Sequence, residues 1–171
     1  MTRSEPTARR PVVVMGVSGC GKSTVATELA HALDAPTADA DALHPAANIA
    51  KMSSGHPLDD ADRAGWLIRV GDWLATHPGG VIACSALRRR YRDVIRSRCP
   101  TVVFVYLQGS REVITARQAA RTGHFMPTSL MNSQFDTLEP LAPDEPGITV
   151  DVDASIDDVV ANALTGLRNL R

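Results

Sequence analysis

Four short apolar runs stand out along the chain, each bounded by polar or turn-forming residues. They are Val12-Val13-Val14-Met15-Gly16-Val17, Val81-Ile82-Ala83-Cys84, Val102 to Leu107, and Ile148-Thr149-Val150-Asp151-Val152. Their length and β-branched content are those of strands buried on both faces. Thr37 to Asp39 is a candidate for one more short strand. Between the runs the period changes. Val25, Leu29, Ala30 and Leu33 recur at helical spacing, and so do Trp66, Leu67, Val70, Trp73 and Leu74 within Ala64 to Leu74. Arg89 to Arg98 carries Tyr91, Val94 and Ile95. Glu112 to Arg121 continues the series, and Ile156 to Leu167 places Val159, Val160, Ala163, Leu164 and Leu167 on one side. Ser155 is a natural N-cap for that last helix, with Asp157 and Asp158 in the dipole-favoured first turn. Strands alternating with helices predict an α/β fold, a parallel sheet covered on both faces. Gly123 to Pro146 is punctuated by Pro127, Pro140, Pro143 and Pro146 and receives no assignment.

Composition narrows the classes. With 171 residues, 44% hydrophobic and 22% charged, the chain fits one soluble globular domain. Residues 1–10 read as a polar, Arg-rich, disordered lead-in, and 11–171 as the domain. A net charge of −1 does not indicate a broad nucleic-acid surface, and the longest apolar runs are too short for a bilayer. Three cysteines, Cys20, Cys84 and Cys99, form an odd count without zinc spacing or a secretory signal. A reduced, cytoplasmic setting follows.

The turn after the first apolar run carries the chemistry. Gly16-Val17-Ser18-Gly19-Cys20-Gly21-Lys22-Ser23-Thr24 matches G-x-x-x-x-G-K-[ST], set between a strand pattern and a helix pattern as this phosphate-binding loop requires. Glycines let successive N–H groups curl toward phosphate oxygens, and the helix that follows adds its unpaired amides and dipole. Lys22 is expected on the β- and γ-phosphates of ATP and Ser23 on Mg²⁺. Cys20, beside Lys22 and a helix start, is expected to favour its thiolate. No N-K-x-D guanine-reading motif is present, which argues against a GTPase, and a motor core usually needs more chain.

The acceptor is read from other residues. Asp39 and Asp41 lie two apart at the end of the presumed second strand, where alternation puts both on one face. Beside such a loop, one carboxylate can hold Mg²⁺ or its water and the other can take the proton of an attacking hydroxyl. His44, before Pro45, is either a turn residue or a donor to the acceptor. Asp59 or Asp60 caps a helix in which Arg63 opposes the dipole, pointing to an anionic ligand or a surface ion pair. Arg88 follows a buried strand, where sites of open parallel sheets lie, while Arg89, Arg90 and Arg92 read as solvated charges. Arg117 and Arg121, with Gly123, His124 and Phe125 after them, suit a lid that closes over the phosphates, or else an ordinary basic helix and loop.

These residues together resemble the bacterial-type gluconokinases. The resemblance is carried by the phosphate-binding loop, Asp39-Ala40-Asp41, Leu43-His44-Pro45, and Asn48-Ile49-Ala50-Lys51-Met52 with Gly55-His56-Pro57-Leu58. Asp60-Ala61-Asp62-Arg63, Trp66-Leu67, Cys84-Ser85-Ala86-Leu87, Tyr91-Arg92-Asp93, Gly123-His124-Phe125, Ser133-Gln134-Phe135 and Thr137-Leu138-Glu139 extend it across roughly residues 12–152. It implies a fold like the nucleoside monophosphate kinases, a five-stranded parallel P-loop sheet flanked by helices, with a lid. It implies transfer of the ATP γ-phosphate to the 6-hydroxyl of D-gluconate, and commonly a homodimer. It suggests Asp41 as the base, with His44, Arg63, Arg88, His124 and Gln134 around the acceptor; Asp39 is expected on the metal. The chain departs from the family in Ala40, where Gly is usual, in Ala42, where a bulky residue is common, and in Arg88, where Lys is usual. A shikimate- or nucleotide-type kinase is the alternative within enzymes, and a nucleotide-dependent switch the alternative outside them.

Overall fold

A computed structural model describes residues 9–120 and 128–170. Most of the predicted lead-in, together with Arg121, Gly123, His124 and Phe125, lies outside them. Strands β1 (Val12–Met15), β2 (Thr37–Asp39), β3 (Val81–Ala83), β4 (Val103–Gln108) and β5 (Gly147–Asp151) form one sheet in the order β2-β3-β1-β4-β5. Every pairing is parallel, and the register sets Val13 opposite Ile82 on one side and Phe104 on the other. The helices are α1 (Lys22–Leu33), α2 (Ala46–Ser53), α3 (Asp60–Thr76), α4 (Arg89–Arg98), α5 (Arg111–Ala120), α6 (Thr128–Thr137) and α7 (Ile156–Asn169).

β1 is central and wholly buried, and its alternation sorts the core into two layers. Val12 and Val14 pack with Val25 and Leu29 of α1 and Val159 and Ala163 of α7. Val13 and Met15 face Trp66, Leu67, Val70 and Leu74 of α3 and Tyr91 and Ile95 of α4. Burial of both faces is what makes the strands read as continuous apolar runs. The caps follow the local sequence. Ser155 accepts from the Asp158 amide at 3.1 Å, and Asp59 forms a reciprocal capping box with Asp62 at the start of α3.

Two helices, α2 and α6, are not marked by apolar periodicity in the sequence. In α2 the inward residue is Asn48, while Ile49 and Met52 face solvent, so no apolar stripe marks the helix. It is held by polar contacts: Asn48 donates to the Asp62 carbonyl at 3.0 Å, and Lys51 meets the Asp62 carboxylate at 2.6 Å. α6 lies in the proline-punctuated stretch. Its end is tied to the turn after β3, where the Glu139 amide donates to the Leu87 carbonyl at 2.7 Å and the Glu139 carboxylate accepts from the Arg89 amide at 2.8 Å.

Arg92 corrects the expectation of a solvated charge. Its side chain is buried and forms a two-pronged pair with buried Glu145, at 2.7 and 2.9 Å. A further prong donates to the Ala86 carbonyl at 2.8 Å, and Glu145 also accepts from the Ala142 amide. Ala86 has φ +43°, a left-handed conformation that costs a residue with a Cβ. The ion pair thus clamps a strained turn. Burial pushes the Glu145 carboxyl up, but the Arg92 guanidinium and the Ala142 amide pull harder, and it ends below the usual glutamate range. A carboxylate with its folded pKa depressed contributes stability above the ordinary glutamate range and loses it as pH falls through the folded value. Glu145→Ala strands Arg92 without a counter-ion and is expected to cost about 3–5 kcal/mol in denaturant unfolding at neutral pH. The cost should shrink as the medium is acidified through the carboxylate range; an equal cost at every pH would show that packing, not the charge pair, is responsible.

Candidate active site

The loops that leave β1, β2 and β3 at their carboxyl ends converge on one cavity of about 330 Å³. Its lining includes Ser18, Gly19, Gly21, Lys22 and Ser23 of the phosphate-binding loop, Asp39 and Asp41 after β2, Ser85 after β3, and Gln134 of α6. Gly16 begins the loop at φ +150°, where an added Cβ would come within 2.8 Å of Cys20 Sγ and 3.0 Å of the Leu107 carbonyl. Gly21 caps α1 at φ +91°, and the first helical bond runs from the Val25 amide to the Gly21 carbonyl at 2.9 Å. The amides of Lys22, Ser23 and Thr24 therefore have no partner inside the helix, the arrangement that binds phosphate. Lys22 Nζ lies back across the loop and donates to the Val17 carbonyl at 3.2 Å. Thr24 sits on the exposed side of the first turn, outside the cavity lining.

The two aspartates are placed differently from the expected strand alternation. Asp39 ends β2, but Asp41 lies in a 3-10 turn, Ala40–Leu43, that Asp39 caps. Asp39 uses both oxygens: Oδ2 accepts from Ser23 Oγ at 2.8 Å and Oδ1 from the Asp41 amide at 2.9 Å. A hydroxyl and a carboxylate side by side are hard oxygen donors, which fits Mg²⁺ beside a nucleotide phosphate. Among the described residues no cluster of three or more His, Cys, Asp or Glu exists, and a metal shared with phosphates and water needs none. Asp41 is exposed at the cavity wall.

Trp66 joins this turn to α3. Its Nε1 donates to the Ala40 carbonyl at 2.7 Å, and its ring stacks on His44 at 4.3 Å with 12° between planes. Burial pushes the His44 pKa down, and the Asp41 carboxylate offsets part of that shift. Farther along, Arg63, Arg88 and Arg90 gather around Asp60 and Tyr91. Arg63 reaches the Tyr91 hydroxyl at 3.3 Å and Asp60 at 3.6 Å, and Arg90 meets Asp60 at 2.6 Å. Arg63 and Arg90 each lie 5.6 Å from the Tyr91 ring centre. The Tyr91 hydroxyl donates to Asp60 at 2.9 Å, and this bond, with the arginines, holds the Asp60 carboxyl below the usual aspartate range. Arg88 precedes α4, and its Nε is buried with no partner among the described residues. Three guanidinium groups against one carboxylate leave an excess of positive charge suited to a carboxylate ligand.

Gln134 lies closer to the phosphate loop than its expected acceptor role suggests: Oε1 accepts from the Ser18 amide at 2.6 Å. Arg117 points to the Ala154 carbonyl rather than into the cavity. Cys20 overturns the thiolate expectation. It is buried, and burial raises its pKa more than Lys22 and the loop amides lower it. Ser85 in the cavity wall was missed, since a lone serine after a strand carries no spacing signal. The Gln134 amide contact was equally illegible, because it spans residues far apart in sequence. His124 and Arg121 lie outside the described residues.

Comparison with known proteins agrees with this geometry. The family model for shikimate kinase matches residues 18–161. The chain is 46% identical to the thermoresistant gluconokinase of Escherichia coli K12 over 89% of its length and 90% of that protein's. It is 51% identical to the gluconokinase of Gluconobacter oxydans over 82% of each. A solved gluconokinase from Sinorhizobium meliloti superposes with a TM-score of 0.87 at 45% identity, covering 95% of this chain and 94% of that one. Within the shikimate kinase family of P-loop domains, the chain belongs to the gluconokinases.

Proposed function

We propose that this chain transfers the γ-phosphate of ATP to the 6-hydroxyl of D-gluconate, giving 6-phospho-D-gluconate and ADP. The observation that carries the reading is a cavity in which a phosphate cradle faces two aspartates, one tied to Ser23 and one exposed. A coupled kinase assay over a panel of sugar acids tests it, with shikimate included because the matching family model is the shikimate kinase one. A higher kcat/KM for shikimate or a nucleoside monophosphate than for gluconate would overturn it.

In this mechanism Lys22 leaves the Val17 carbonyl for the β- and γ-phosphates, Gln134 releases the Ser18 amide as it turns to the acceptor, and the amides of Ser18 and of Lys22 to Thr24 hold the phosphate chain, Gly16, Gly19, Cys20 and Gly21 shaping the turn. Ser23 and Asp39 hold Mg²⁺, which neutralises phosphate charge when bound. Asp41 takes the proton of the 6-hydroxyl as the bond to phosphorus forms and aligns that oxygen with the leaving group. His44 and Gln134 contact the hydroxyl chain, and Arg63 and Arg88 pair with the carboxylate. Arg117 exchanges the Ala154 carbonyl for the nucleotide, and Arg121 and His124 are assigned the lid function of excluding water, so that ATP is transferred rather than hydrolysed. The three cysteines, all buried and unpaired, accord with a cytoplasmic setting, and family membership extends the reading to a homodimer.

Asp41→Asn keeps the size of the side chain and removes the base. It is expected to bind MgATP with unchanged affinity and to lose about 10²-fold or more in kcat for gluconate. Wild-type turnover by the folded variant would take Asp41 out of the chemistry. Arg88→Ala is expected to raise KM for gluconate by about 10- to 100-fold, the range for a hydrogen bond to a charged group, with little change for ATP. Arg88→Lys should recover most of that loss; a larger effect on ATP than on gluconate would move Arg88 to the nucleotide side.

A further inference from the structure

Asn48 is the buried polar residue of α2, although the helix is otherwise largely exposed. Its terminal nitrogen, Nδ2, lies 3.0 Å from the Asp62 carbonyl oxygen and 3.4 Å from His44 Nδ1. A backbone carbonyl only accepts, so the amide group that faces it must be the NH₂ and not the side-chain oxygen. One hydrogen of that NH₂ goes to Asp62, and the other points at His44 Nδ1. Nδ1 must then offer a lone pair. A neutral imidazole with a lone pair on Nδ1 carries its hydrogen on Nε2.

The ring has little freedom to escape this arrangement. It is stacked on Trp66, which is itself fixed to the Ala40 carbonyl. The groups that face it from each packed element are few. From its own turn comes the Asp41 carboxylate, from α2 the neutral Asn48, and from α3 the Trp66 ring. The Asp62 carboxylate is engaged with Lys51 at 2.6 Å. A second proton on His44 would set Nδ1–H against the Asn48 NH₂, donor against donor. The depressed pKa of His44 agrees with that conflict and with burial.

We propose that Asn48 is a positioning residue that fixes His44 as the neutral Nε2–H tautomer, so that His44 gives the gluconate chain a hydrogen-bond donor and leaves Asp41 as the acceptor of the transferred proton. The proposal rests on the reading of His44 as an acceptor-side residue. It divides two neighbouring titratable groups into opposite roles. His44 cannot compete for the hydroxyl proton, because Nε2 already carries one and Nδ1 faces Asn48. It stays a neutral donor to lower pH than an ordinary histidine would.

The test is a long-range ¹H–¹⁵N spectrum of the imidazoles in the full-length protein, with His44→Ala identifying the His44 signals. The expected pattern is Nε2–H at neutral pH with a titration midpoint below that of an exposed histidine. In Asn48→Ala the midpoint should move up, while KM for ATP holds. An Nδ1–H pattern in the wild type overturns the proposal, even if Asn48→Ala fails to fold. A folded Asn48→Ala with an unmoved His44 midpoint also overturns it. His44→Ala is expected to raise KM for gluconate by about 3- to 10-fold, the scale of one neutral hydrogen bond. An unchanged KM alongside the expected spectrum would leave the tautomer assignment standing and remove His44 from the acceptor side, so failure of the two readings is told apart.

Discussion

β1 has no side that faces water. Val12 to Met15 are buried, both backbone edges are paired, and each face is covered by helices. That enclosure is the constraint on which the rest of the structure depends. A strand covered on both faces requires crossover helices, and right-handed crossovers bring the strand-following loops to one end of the sheet. At that end the pairing of β1 stops: the Gly16 amide reaches the Ser85 carbonyl at 3.3 Å, and the chain then curls away as the phosphate-binding loop. The loops after β2 and β3 arrive beside it for the same reason. The cavity is a consequence of how the central strand is buried.

Charge is used in two ways, and burial decides which. Arg92 and Glu145 are out of water, paired through two bonds and satisfied by further backbone partners. A pair in that setting gains little over an apolar substitute, but losing one partner is costly, so it acts as a fixed clamp on the turn before α4. Arg63 and Arg90 are partly exposed and share the single carboxylate of Asp60. Ion pairs of that kind are weak and exchangeable, so an incoming carboxylate can recruit the arginines at small cost. The clamp keeps the turn bearing Arg88 in place, and the looser cluster stays available to a ligand.

Much of this was legible in the sequence, and the failures have physical causes. β1, β3, β4, β5 and α1, α3, α4, α5 and α7 follow from period and length, because each buries apolar residues, whereas β2, exposed to half-buried, is only a candidate in the sequence. α2 buries an asparagine and exposes Ile49 and Met52, so periodicity points the wrong way. α6 is set among prolines. The phosphate-binding loop was readable because its spacing is imposed by backbone curvature within a few residues. Contacts between remote segments, such as Gln134 with the Ser18 amide or Arg92 with Glu145, leave no such local mark. Cys20 was misjudged because proximity to Lys22 is visible in sequence and burial is not; burial is the larger effect.

Asp39 and Asp41 show how one short turn separates two chemically identical side chains. Alternation along a strand would have given them equivalent surroundings. The 3-10 turn breaks that equivalence: Asp39 spends one oxygen on Ser23 and the other on capping the turn, which holds it toward the cradle. The capped amide belongs to Asp41, so the bond that commits Asp39 also fixes the backbone from which Asp41 projects. Trp66 secures the same turn from the opposite side, through the Ala40 carbonyl, while its ring carries His44. One buried indole therefore sets the height of the turn, and with it the distance of Asp41 from the phosphate loop and the plane of the neighbouring imidazole. A change at Trp66 would act on Asp41 and His44 together, so the turn that carries both behaves as one mechanical unit supported from α3.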